Sequence, residues 1–197
     1  MTAERSYARR RRETVPVLYI STEGTTEANY FNMLKKRGMG FEMQVFESKR
    51  KNATAVVEFC IDRMMQTHDP GDNDKGIAVF DIDENTAEDI ENAINIAQEN
   101  GILIAISNPC FETWLLSHFQ KIPIEFNKDD ILRKLCGHVP NYSKTADLSE
   151  FRPQIPFAIS NGHAQYEKCT CDRVPFICPS TNVHCIVECI MNRKIDW

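Results

Sequence analysis

Four short apolar runs, Val15–Ile20, Phe41–Phe46, Gly76–Phe80 and Gly101–Ile106, are separated by longer stretches whose apolar residues recur at helical spacing, and this alternation narrows the folds open to the chain. The first run ends in Ser21-Thr22-Glu23-Gly24 and leads to a helix over Thr26–Arg37. Tyr30, Phe31 and Leu34 share one face of that helix, and Gly38 stands where a C-terminal cap requires positive φ. Asn52 can cap a second helix to Gln66 with Val56, Val57, Cys60, Ile61 and Met64 inward, after which Thr67–Lys75 reads as a loop. Thr86 with Asp89 forms a capping-box pattern for a helix to Asn100, and Asn108-Pro109 predicts a cap and a first-turn proline for the next. Strand and helix in regular alternation give parallel strands with right-handed crossovers, a Rossmann-like α/β fold with a central parallel sheet of about four strands flanked by helices. From Pro123 the alternation stops. Asn127–Cys136, Leu148–Lys168 and Pro179–Arg193 are the helical candidates there, with Pro153 and Pro156 disturbing the first turns of the second. The expected organisation is a basic tail over 1–14, an α/β core over 15–122 and a helical extension of the same domain over 123–197.

A length of 197 residues with 42% hydrophobic and 26% charged residues suits one globular domain rather than a disordered chain. No apolar run approaches the roughly 20 residues needed to span a bilayer, so no membrane association is expected. Arg5 and Arg9–Arg12 lead straight into the first strand without an apolar secretory segment, which predicts a cytoplasmic protein whose eight cysteines are thiols. Cys169, Cys171, Cys178, Cys185 and Cys189 lie close to His163 and His184 in sequence, and Cys185 with Cys189 at helical spacing could supply two zinc ligands. The spacings match no standard finger, so free thiols are the favoured reading and zinc is not expected. A net charge of −5 argues against a protein that coats nucleic acid but permits a local basic arm, and the arginine tail reads either as such an arm or as a solvated segment.

In an open parallel sheet, ligands sit beyond the carboxyl ends of the strands, and Glu23, Asp81 and Asp83 are placed there. If the third strand stays extended, Asp81 and Asp83 at i, i+2 point to one face, and with Glu23 they put three carboxylates in one small volume. Such a group either raises a pKa or recruits a hard cation, Mg²⁺ or Mn²⁺, against phosphate. Solvated strand-end residues are the alternative. Glu27 and Glu112, each in a first helical turn, are explained equally by the helix dipole and by a place near the same pocket. Glu84 points away unless a turn brings it round. Phe111, Trp114 and Leu115 read as core, and His118 as a packed histidine. Lys144 reads as an exposed lysine or a phosphate contact.

Tyr19-Ile-Ser-Thr-Glu23-Gly-Thr-Thr-Glu27-Ala-Asn-Tyr30-Phe31, then Val79-Phe-Asp81-Ile-Asp83-Glu84, then Ser107-Asn-Pro-Cys-Phe111-Glu112-Thr-Trp114 resembles the RloB-like family, which is associated with restriction-modification and phage-defence loci. The resemblance extends through Tyr142-Ser-Lys144 to Pro179–His184. The family looks like a divergent Toprim domain. The resemblance implies that Glu23 acts in proton transfer, that Asp81 and Asp83 hold the metal together with Glu23, that Glu112 belongs to the catalytic set, and that Lys144 meets the substrate; Glu27, four residues after Glu23, is placed with the substrate by its position near the same pocket. It further implies a metal-dependent nuclease acting on DNA or RNA in anti-phage abortive infection, with an ATPase encoded nearby as partner. A non-catalytic module that binds metal and nucleotide or nucleic acid and regulates that ATPase is the alternative, and an interaction protein with vestigial carboxylates is a third. The sequence leaves DNA against RNA, and a homo-oligomer against a monomer, open.

Overall fold

The computed structural model describes residues 15–66, 73–169 and 179–194, and the predicted basic tail and the cysteines Cys171 and Cys178 lie outside them. The elements run β1 (Val17–Thr22), α1 (Thr25–Leu34), β2 (Glu42–Glu47), α2 (Ala53–Met65), β3 (Lys75–Asp81), α3 (Ala87–Glu99), β4 (Ile102–Asn108), α4 (Glu112–Ser117), α5 (Lys128–His138), a 3-10 segment (Ser149–Gln154), α6 (Ile155–Cys169), β5 (Ser180–Thr181) and α7 (Val183–Met191). The sheet order is β2-β1-β3-β4-β5, with β1 to β4 parallel and β5 antiparallel to β4.

From β1 the chain steps outward to β2, then crosses back to β3 and β4 on the other side, so direction reverses between β1 and β3. Crossovers of one hand then require the connecting helices to lie on opposite faces. The buried residues follow that rule. Leu18, Ile20, Ile77 and Val79 pack with Tyr30, Phe31 and Leu34 of α1 and with Trp114, Leu135 and Val187 from the later helices. Tyr19, Ala78 and Phe80 pack with Val56, Val57 and Cys60 of α2 and with Ala93 and Ala97 of α3. Both faces are covered, and that is why β1, β3 and β4 read as continuous apolar runs rather than alternating ones. Gly76 marks how closely α2 lies on β3, since a Cβ there would stand 2.5 Å from Ile102 Cδ1 and 2.6 Å from Met64 Sδ.

The predicted caps form at Asn52 and Thr86, the latter as a complete capping box with Asp89, and a second box closes between Asn127 and Asp130. Three boundaries differ from expectation. α1 ends at Leu34, and Gly38, at φ 75°, serves the turn that follows rather than the helix cap. α4 starts at Glu112 rather than at Pro109, and the Pro109 carbonyl, instead of opening a helix, accepts the Asp83 amide at 3.3 Å. Residues 149–154 take up 3-10 geometry around Pro153 before α6 begins, where the prolines were expected to interfere. A fifth strand was not expected. Ser180–Thr181 is too short to carry a periodic signal, and it pairs with Ser107 and Asn108 just before α7. Among the described residues no helix is long and apolar enough to cross a membrane.

Candidate active site

Where neighbouring parallel strands send the chain to opposite faces, their carboxyl ends part and leave a crevice, and here that point lies between β1 and β3. Glu23 directly follows β1. Its amide donates to the Val79 carbonyl at 2.9 Å, and its carboxylate Oε2 accepts the Asp81 amide at 3.0 Å, so the ends of the two strands are tied through one side chain. Asp81 is the last residue of β3. Glu27, in the first turn of α1, folds its carboxylate back over Gly24. A Cβ at Gly24 would stand 2.7 Å from Glu27 Oε2, so any larger residue there would push the Glu27 carboxylate aside, although the extended φ of −133° asks for no glycine. Glu112 opens α4, and its Oε1 accepts the Tyr142 hydroxyl at 2.9 Å. Glu23, Glu27, Asp81, Glu84, Glu112 and Lys144 line one cleft of about 280 Å³.

Burial raises the pKa of Glu23, only partly offset by the hydrogen bond from the Asp81 amide. Burial pushes Glu27 up to about 7, with the negative charges of Glu112 and Glu23 adding to it and Lys144 opposing. Asp81 is raised well above the usual carboxylate range, first by burial and then by the charges of Glu27, Glu23 and Glu112. The same burial and acidic surroundings push up the Cys110 thiol and the Tyr142 phenol. Six carboxyl groups thus line the cleft against two lysines, Lys51 and Lys144, and ionising all six at once is unfavourable.

Among the described residues no three His, Cys, Asp or Glu side chains converge into a ready-made metal cage. Mg²⁺, however, is commonly bound through one or two carboxylates together with water and substrate phosphate. Glu23 Oε1 and Asp81 Oδ1 are both buried without a hydrogen-bond partner, an arrangement that costs free energy unless a ligand supplies the missing interaction. Two orphaned hard oxygens amid mutually repelling carboxylates fit a hard divalent cation.

The structure brings Glu23, Asp81, Glu27, Glu112 and Lys144 together and sets Asp83 apart. The i, i+2 argument needs an extended chain, but β3 stops at Asp81 and the backbone turns, with the Asn85 amide on the Ile82 carbonyl at 3.1 Å. Asp83 stands at the rim, paired with Lys128 at 2.5 Å, and the same turn swings Glu84 onto the cleft wall. Three groups were missed. Asn85 donates to the Asp81 carbonyl and accepts the Ala53 amide, both at 2.6 Å, which fixes the end of β3 against α2. Lys51 donates to the Glu23 carbonyl and to Glu47. Tyr142 holds Glu112. An Asp-Glu-Asn-Thr run signals a turn, but partners this far apart in sequence carry no local signature.

Phe111, Trp114 and Leu115 are buried core, as expected. His118 is packed as well, with Nδ1 on the Trp114 carbonyl at 3.0 Å and Nε2 accepting from the Tyr30 hydroxyl at 3.1 Å. Burial lowers its pKa to about 4, so it stays neutral.

A family model described as RloB-like protein matches residues 18–190. No curated protein and no solved structure matches the chain.

Proposed function

The chain belongs to the RloB-like protein family, and from that premise and the geometry of the cleft we propose that it is a divalent-metal-dependent nuclease that hydrolyses phosphodiester bonds of DNA or RNA in prokaryotic anti-phage defence. The observation that carries this reading is the gathering of buried Glu23, Glu27 and Glu112 and half-buried Asp81 around one cleft, with an oxygen of Glu23 and one of Asp81 left unpartnered. Glu23 and Asp81 would hold Mg²⁺ or Mn²⁺, which when bound offsets the cluster's charge and that developing on the phosphate. Glu27, held near 7, can take up or release a proton at neutral pH, the requirement for acid–base work on a water nucleophile or a leaving oxygen. Tyr142 orients Glu112. Gly24, Thr25 and Thr26 bring the first turn of α1 to the cleft wall, where its amides and Lys144 favour a phosphate.

A binding module that holds metal and nucleotide without cutting, and regulates an ATPase partner, is the second reading. It is favoured by the pairing of Asp83 with Lys128, which leaves one fewer carboxylate in the cleft.

Plasmid DNA, linear single-stranded DNA and total RNA, incubated with Mn²⁺, Mg²⁺ or EDTA, separate the two. Metal-dependent cutting by wild type that is lost in Glu23→Gln/Asp81→Asn supports the nuclease and names its substrate. Metal-induced thermal stabilisation without cutting of any polymer supports the module.

A further inference from the structure

Resting on that reading, we propose that a second groove beside the carboxylate cleft holds the phosphate backbone of the same single strand of nucleic acid, at nucleotides flanking the phosphate in the cleft. The groove, about 300 Å³, lies between the β2–α2 loop and α2, and Glu47 lines both it and the carboxylate cleft, so the two adjoin.

Lys49, Arg50 and Arg63 line this groove together with Phe59. The Arg63 guanidinium lies 4.6 Å from the ring centroid of Phe46 and 4.8 Å from that of Phe59, two rings set at 81° to each other, and these contacts restrain it. Its Nε is buried and has no hydrogen-bond partner, and its Nη1 reaches only Gln66 Oε1 at 3.5 Å. A guanidinium carries five donors in a rigid fork. One that sits in the corner of two rings, with its Nη donors almost unspent, differs from an arginine waving in solvent, and phosphate oxygens match the fork. Arg50 is linked to Glu58 at 3.5 Å across exposed side chains, a pair that yields easily to a stronger acceptor. Of the two acidic residues on the wall, Glu47 is already engaged by Lys51 at 2.8 Å and by Thr25 at 3.0 Å. Asp62, at the exposed side, repels and limits the phosphates held.

Because the Arg63 guanidinium already covers the rings of Phe46 and Phe59, the groove reads backbone rather than stacking a base, and its contacts are independent of sequence. A chain of net charge −5 with an acidic cleft repels a polyanion at a distance, and Lys49-Arg50-Lys51 supplies the local positive field that brings a strand to the cleft edge.

The test is fluorescence anisotropy in EDTA, so that nothing is cut. The probes are fluorescein-labelled oligo-dT and oligo-U, each as a dinucleotide and at about a dozen nucleotides. Wild type is expected to bind the longer probes more tightly than the dinucleotides. Lys49→Gln and Arg63→Gln are each expected to lose about tenfold in affinity for the longer probe, with the salt slope shallower by about 0.7 per lost phosphate contact. Arg63→Lys, which keeps the charge but not the fork, should fall between. Lys49 is exposed, so its variant tests the groove even if Arg63 variants misfold. Affinity and salt slope unchanged in Lys49→Gln and in any folded Arg63→Gln, or no gain with length in wild type, would overturn the proposal. Binding that depends on Lys49 without metal-dependent cutting removes the hydrolysis reading and leaves the groove. Cutting with unaltered variant affinities does the reverse.

Discussion

Two clusters of titratable side chains stand out among the described residues, and they are finished differently. At the strand ends, Glu23, Glu27, Asp81 and Glu112 are crowded into a cleft that raises the pKa of the first three and leaves two of their oxygens unpartnered. Between α6 and α7, His163, His184, Cys185 and Glu188 also meet, but each has a partner. His163 Nε2 is 2.8 Å from Glu188 Oε2, His184 Nδ1 is 2.9 Å from the Thr181 carbonyl, and Cys185 Sγ is 3.4 Å from His184 Nε2. Burial lowers the His184 pKa to about 4, so it is a neutral, satisfied core group. A satisfied polar network contributes to stability and specifies packing, whereas an unsatisfied one lowers stability and is kept where a ligand completes it. By that criterion the first cluster is the candidate site and the second belongs with the packing.

The largest effect expected from breaking the contrast is on cleavage. Glu23→Gln/Asp81→Asn should lower metal-dependent cutting on the order of 10³-fold or more, the scale of losing a metal's charge stabilisation. His184→Ala should leave cutting per folded molecule unchanged. Equal losses in both variants, measured at equal folded fraction, would erase the distinction.

Stability should move in opposite directions. A carboxyl whose folded pKa is about 7, against an ordinary 4.5, binds more protons in the native than in the unfolded state between those values, so its contribution to stability falls as pH rises through that window. Metal-free wild type should therefore gain Tm on acidification from pH 7.5 towards 5. Glu27→Gln should be more stable than wild type by up to about 3 kcal/mol at pH 8, with the advantage vanishing below about pH 4.5. Thermal melts across pH check both the sign and the window. His184→Ala should instead be less stable at pH 8, by about 2–3 kcal/mol, because it empties a buried site and strands the Thr181 carbonyl. Gly162→Ala should sharpen the point. Alanine normally stabilises a helix interior, but a Cβ here would stand 2.6 Å from that of His184, and overpacking should cost about 1–3 kcal/mol on a melt.

The same contrast explains what the sequence disclosed. The α/β alternation and the places of Glu23 and Asp81 were legible because strands buried on both faces leave continuous apolar runs, and the residues ending those runs are marked by position alone. Asp83 misled because two-residue periodicity holds only while a strand lasts, and Asn85 ends it. Tyr142 on Glu112, Lys51 on Glu23, and Arg63 between Phe46 and Phe59 depend on tertiary approach. The two-residue β5 was too short to show a period, and the pairing of the α6–α7 histidines needed the fold to bring Gly162 against His184.

The smallest expected effect concerns Asp83, which the structure moved out of the cleft. Its ion pair with Lys128 is partly exposed, so Asp83→Asn should change stability by less than about 1 kcal/mol. If the rim position is also its working position, metal-dependent cutting should fall by no more than a few-fold, the scale of a screened rim charge. A loss approaching that of the Glu23/Asp81 variant, without a change in Tm, would mean that Lys128 releases Asp83 when metal and substrate arrive. Lys128→Ala then separates the cases. It should leave cutting nearly intact if the pair is only structural, and should increase metal affinity if Lys128 competes with the ion for the Asp83 carboxylate.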